Sequence, residues 1–166
     1  ASVLPTAKPG PDEQYSWKIA TIDSEGDVGR YASLAFSPSG QPAISYFGDT
    51  IYDLKYAMYD GRRWTPETID SKGLVGWYTS LAFSPSGQPA ISYRDGSNED
   101  LKCAAYDGRK WTTKAVDRKG RVGGGTSLAF SPSGQPDIAY VDESNGDLKY
   151  ASYDGRKWTT QTIDSE

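Results

Sequence analysis

Runs of five to seven residues that alternate apolar and polar side chains, separated by clusters of Pro, Gly, Ser, Asn and Asp, fill almost the whole chain after residue 16. A period of two is the mark of a pleated strand, whose successive side chains point to opposite faces. Leu54–Tyr59 shows it plainly, setting Leu54, Tyr56 and Met58 against Lys55, Ala57 and Tyr59. The pattern predicts four strands in a unit: A at Ser33–Ser37, B at Ala43–Phe47, C at Leu54–Tyr59 and D at Trp64–Asp70. Between A and B, Pro38 and Gly40 supply a fixed φ and a permissive one, and Asp60-Gly61 between C and D is a hairpin turn. No 3.6-residue apolar period persists, and prolines interrupt most windows long enough for a helix. An all-β chain with almost no helix is expected.

The pattern is also a repeat. Trp17, Trp64, Trp111 and Trp158 are 47 residues apart, and SLAFSPSGQP recurs unchanged at Ser33–Pro42, Ser80–Pro89 and Ser127–Pro136. Three four-stranded antiparallel meanders in tandem predict blades of a β-propeller, with strand A innermost because its small Ser33, Ala35 and Ser37 suit a crowded axis. A β-trefoil or β-prism is the alternative. The blades are expected at about 30–70, 77–117 and 124–164, preceded by a Pro-rich linker or arm over 1–16 and one extra D strand over 17–25. Thr21–Glu25 and Thr162–Glu166 both read TIDSE, so the two ends are redundant. Sheets packed about 10 Å apart need more than three members to close a circle. Each end of the array should therefore expose an apolar face, which predicts either a homo-oligomer, as a two-chain ring of six blades or a strand-exchanged assembly, or a piece of a longer array.

Composition narrows the chemistry. A net charge of -4 over 166 residues, without a basic stripe, argues against nucleic acid as a partner. No stretch approaches the roughly 18 apolar residues of a membrane span. A start at Ala1 fits signal-peptide removal, and a secreted or cell-surface location is expected. There is no His, and Cys103 is the one Cys, expected to be a small buried apolar residue. Zinc sites and Ser-His-Asp or Cys-His catalysis thus lack their ligands and base. Asp142–Gly146 departs from a calcium loop, with Tyr153 where its closing Glu belongs. Arg62, Arg109 and Arg156 lie in repeated turns spread around a rim. No catalytic residue, metal or cofactor is expected.

The pieces SLAFSPSGQPAISY, SNGDLKYASYDGRKW and TIDSEGDVGRYASL, together covering about 150 of the 166 residues, resemble a family of bacterial tandem-repeat proteins. Its units carry an SLA hairpin, PxISYYD, NGDLKYA and DGxxW. That resemblance implies a propeller and no settled biochemical role. In spacing more than identity the repeat is also similar to tachylectin-type propeller lectins, and its DGxxW turn resembles the structural Asp-box of sialidase-type propellers.

In an up-and-down blade the A–B and C–D turns share one edge, and the B–C and D–A loops share the other. The first pair barely changes between copies, whereas the second pair varies, and variable loops on a rigid scaffold are where binding usually resides. Tyr31, Trp77 and Tyr78 at the D–A loops are candidate platforms for stacking a sugar, with Asp95, Asn98, Asp142 and Asn145 of the B–C loops as hydroxyl partners. The leading expectation is multivalent carbohydrate recognition, and the alternative is an assembly protein whose blades associate between chains without a small ligand. The repeated Trp residues are expected to be structural.

Overall fold

The computed structural model describes residues 18–165. The expected arm over 1–16 lies outside the described residues, as does Trp17.

Twelve strands follow one another: β1 (Val28–Phe36), β2 (Pro42–Gly48), β3 (Asp53–Tyr59), β4 (Trp64–Asp70), β5 (Val75–Phe83), β6 (Pro89–Asp95), β7 (Asp100–Tyr106), β8 (Trp111–Asp117), β9 (Val122–Phe130), β10 (Pro136–Asp142), β11 (Asp147–Tyr153) and β12 (Trp158–Asp164). They form three four-stranded sheets in sequential antiparallel order, and no helix occurs among the described residues. Strand A is longer than its alternation suggests. It begins at Val28 rather than Ser33, because a bulge between Arg30 and Ser33 lets the strand resume pairing with β2 beyond Tyr31 and Ala32. Turn chemistry explains the hairpins. At the C–D turn the Asp60 carboxylate accepts the amides of Arg62 and Arg63, and Asp107 and Asp154 repeat this.

The innermost strands β1, β5 and β9 pack beside one another, so neighbouring sheets meet face to face. One core cluster joins Ala43, Leu54 and Tyr56 of the first sheet to Val75, Leu81 and Ile91 of the second. A second cluster joins Ala90, Leu101 and Cys103 to Val122, Leu128 and Ile138. The core is therefore two inter-sheet layers rather than one central mass.

The extra strand expected over 17–25 is not a strand in its described part, 18–25. A D strand pairs with a C strand, and among the described residues no C strand lies beside this segment. The segment nevertheless keeps one duty of a D strand end. Asp23 accepts the Tyr46 hydroxyl at 2.8 Å and the Lys55 ammonium at 2.5 Å. In the same way Asp70 ties Tyr93 and Lys102 of the second sheet, and Asp117 ties Tyr140 and Lys149 of the third.

Candidate functional site

The edge formed by the B–C and D–A loops carries two different surfaces. Between the first and second sheets it is aromatic. Tyr31 and Tyr78 sit with ring centroids 4.8 Å apart, Phe47 lies 6.2 Å from both Tyr31 and Trp77, and Tyr52 stacks on Phe47. Phe47 is buried, whereas Tyr31 and Tyr52 are exposed. Tyr31 and Tyr78 hold φ of 53°, a left-handed conformation imposed by the bulge that aims both rings at this edge. Between the second and third sheets the same edge is ionic, with Arg94 and Arg121 paired to Glu143 and Glu99. Position 47 is Phe, its repeat position 94 is Arg and position 141 is Val, which accounts for the switch.

Of the expected hydroxyl partners, Asp95 and Asp142 are buried. Asp95 accepts the amides of Ser97 and Asn98 and the Asn98 side-chain NH2, and lies 3.6 Å from Lys102. Asp142 accepts the Ser144 amide and the Asn145 side-chain NH2, with Lys149 at 3.8 Å. These four residues hold their own loops in shape, and Asn98 and Asn145 remain exposed on them. The structure brings Tyr31, Trp77 and Tyr78 together and leaves the two Asp–Asn pairs in separate blades.

A cleft of about 650 Å³ opens on the opposite edge, between the first and second sheets. Its walls are Tyr56, Met58 and Glu67 of the first sheet and Phe83, Gln88, Arg109 and Trp111 of the second. Strand D places Glu67 outward, and the DGxxW turn sets Trp111 across from it, where its indole N–H donates to Glu67 Oε1 at 3.1 Å. The Trp111 ring also stands edge-on to Tyr56 at 5.1 Å. Tyr56 is 4% exposed, and its hydroxyl has no hydrogen-bond partner among the described residues. Burial, and then the charge of Glu67, pushes that hydroxyl's pKa up, so it is a neutral donor in water. A buried hydroxyl without a partner costs on the order of 1–3 kcal/mol. The cleft thus combines apolar walls, an acceptor, a guanidinium, an amide and one unsatisfied donor.

The equivalent cleft between the second and third sheets is about 380 Å³ and chemically different. Cys103 replaces Tyr56, Ala105 replaces Met58 and Lys114 replaces Glu67, with Trp158 and Tyr153 retained in the roles of Trp111 and Tyr106. Burial holds the Cys103 thiol at about 12, so it contributes no thiolate. Sequence reasoning missed the first cleft because Trp111 belongs to an invariant repeat and reads as packing. The available signal was variation inside otherwise repeated strands: Tyr56, Cys103 and Tyr150 at one position, and Glu67, Lys114 and Gln161 at another. Among the described residues no group of three or more His, Cys, Asp or Glu is arranged to hold a metal ion.

No protein-family model matches the chain, and no curated protein sequence does. Several solved structures resemble it in fold. A fucose lectin from Kordia zhangzhouensis, in complex with methyl-fucoside, is 19% identical with a TM-score of 0.55, the match covering 81% of this chain and 99% of that one. AofleA from Arthrobotrys oligospora is 17% identical with a TM-score of 0.60 over 83% of this chain and 45% of that one. The Aleuria aurantia lectin, in complex with Fucα1-6GlcNAc, is 19% identical with a TM-score of 0.54 over 81% of this chain and 48% of that one. This chain spans about half the length of the last two. Weaker in identity, at 13% and 12%, are an ulvan lyase and an α-L-arabinofuranosidase from Lactobacillus brevis. At such identities the likeness speaks for the fold alone. The chain is an array of three four-stranded β-propeller blades of the kind those lectins share.

Proposed function

We propose that this chain is a non-enzymatic carbohydrate-binding module and that a sugar enters the cleft between its first two blades. The observation that carries this reading is the buried, unpartnered Tyr56 hydroxyl at the wall of a cleft that also presents Trp111, Glu67 and Arg109. A pyranose has an apolar face for an indole and several hydroxyls for a carboxylate, a guanidinium and a phenol. Among the described residues Glu67 is the one carboxylate on the cleft wall. Glycoside hydrolysis ordinarily needs two carboxyl groups facing the scissile bond, which favours binding over turnover. The lectins similar in fold were solved with fucosides, which makes fucosides the first ligands to test.

The two clefts differ in their residues, so the proposed specificity belongs to the first, and multivalency comes from association of chains. That association is part of the proposal, as is a secreted or cell-surface location; an assembly protein without a small ligand is its competitor. A second sugar platform is favoured by the cluster of Tyr31, Tyr52, Trp77 and Tyr78, half of which is exposed.

A glycan array followed by titration calorimetry on the full chain tests both. Glu67→Gln and Arg109→Ala change exposed side chains and should each weaken binding about tenfold or more, roughly 1.4 kcal/mol. Affinity that survives both substitutions and disappears in Trp77→Ala moves the site to the aromatic edge. An array without any sugar signal overturns the carbohydrate reading in favour of assembly.

A further inference from the structure

We infer that a second copy of this chain docks its third blade on the first blade, and that residues 18–25 are a built-in plug occupying the seat which the partner's C-terminal strand end would take. This rests on the self-association reading above and is independent of the sugar.

The two internal junctions define what a blade needs from its predecessor. Each receives an Asp from the preceding D strand, Asp70 or Asp117, onto a Tyr–Lys pair. In the first blade that pair is Tyr46 and Lys55, and Asp23 of the segment TIDSE fills it. The same five residues end the chain, and there Asp164 is exposed without a partner among the described residues. The Asp164 carboxylate on the third blade thus matches, in sequence and repeat position, the one now seated on the first.

Three further positions, Leu34, Leu148 and Gly29, fit the same contact. Leu34 is 60% exposed, whereas its counterparts Leu81 and Leu128 are 5% and 7% exposed beneath the preceding blade. Leu148 is 44% exposed, whereas Leu54 and Leu101 are 0% exposed beneath the following one. A Cβ on Gly76 would meet the Leu54 Cα at 2.8 Å, and one on Gly123 would meet the Leu101 Cα at 3.1 Å, while one on the counterpart Gly29 would meet none of the described residues within 4 Å. Gly29 therefore keeps the space that the backbone at Leu148 of a second copy requires.

The internal junctions also share a hydroxyl pair. Ser45 bonds Thr79, which donates to the Tyr31 carbonyl, and Ser92 bonds Thr126, which donates to the Tyr78 carbonyl. At the two ends both halves change together, to Ala139 on the third blade and Ala32 on the first. Had one half alone changed, docking would bury a lone hydroxyl. Asp137 opposes docking, since it stands where Ala43 and Ala90 are buried in the first two blades.

Displacing the plug exchanges one Asp for an identical one, and the segment leaves no strand ladder behind. Exchanging β12 instead would break its whole ladder with β11. The plug is therefore the part that yields.

Light scattering after size exclusion, and sedimentation, on the full chain and its variants test this. The expected result is opposite movement by two sequence-equivalent residues: Asp23→Asn tightens association at least tenfold, and Asp164→Asn weakens it at least tenfold. Deleting residues 1–25 tightens it, and so does Asp137→Ala, which restores the residue of the internal junctions. A dimer that weakens on deletion, or responds alike to both Asp substitutions, overturns the plug while leaving association standing. A chain that stays monomeric at high concentration even after deletion overturns both.

Discussion

Each Asp at a junction is ionised in a place that water barely reaches. Burial pushes the carboxyls of Asp23, Asp70 and Asp117 up, but the hydrogen bonds from their Lys and Tyr partners outweigh it and leave all three lowered, Asp23 to about 2. A carboxyl whose folded pKa lies below its unfolded value, roughly 3.9, stabilises the fold fully above that value and loses the contribution as pH falls through the folded one. Asp53 and Asp100, raised chiefly by burial, act the other way and soften the loss. The partner tyrosines Tyr46, Tyr93 and Tyr140 are raised by burial and by the Asp they serve. Their stabilisation is complete below about pH 10, the ordinary phenol value, and is lost above it. Urea unfolding across the pH range should therefore show a plateau from about pH 5 to 9 with a decline on each side. A flat acid limb down to pH 2 would mean that the Asp–Lys–Tyr seats do not form.

At the scale of the element, the bulge in strand A decides which side chains reach the loop edge. Tyr31, Tyr78 and Gly125 occupy one repeat position with φ of 53°, 53° and 51°, and for the two tyrosines the left-handed conformation is strained. Such strain costs about 1–2 kcal/mol in a non-glycine residue and is held in place by the surrounding ladder. Gly125 has nothing within 4 Å of an added Cβ, so Gly125→Ala isolates the backbone term. The substitution should destabilise the chain by about 1 kcal/mol in a denaturant titration; no change would show that the bulge relaxes freely. Periodicity could not locate this feature, since alternation starts strand A only at Ser33 and leaves Tyr31 and Tyr78 in the D–A loops. The bulge is visible only where pairing with β2 and β6 resumes at Ser33 and Ser80.

At the scale of the whole molecule, stability resides in the layers between blades, and two such layers lie within the chain. Its outer faces expose Leu34, Phe36, Leu148 and Ile163, side chains whose counterparts help to form the internal layers. Covering them would couple folding to association, so the melting temperature should rise with protein concentration, as mass action requires. A melting temperature constant over a hundredfold range of concentration would mean that the faces stay bare. The sequence by itself determined the number of blades, their four strands, their hairpins and, among the described residues, the absence of a helix. Those follow from local terms, alternation and turn residues, repeated every 47 positions. It also pointed to Tyr31, Trp77 and Tyr78 as candidates, but not to their company with Phe47 and Tyr52. The Asp–Tyr–Lys seats and the Tyr56–Glu67–Trp111 cleft were decided only by tertiary structure. Their members come from different blades, up to 55 residues apart in the chain for Tyr56 and Trp111, and nothing local couples residues at that distance. What couples them is the packing of one sheet on the next, which sets a phenol, a carboxylate and an indole around one space.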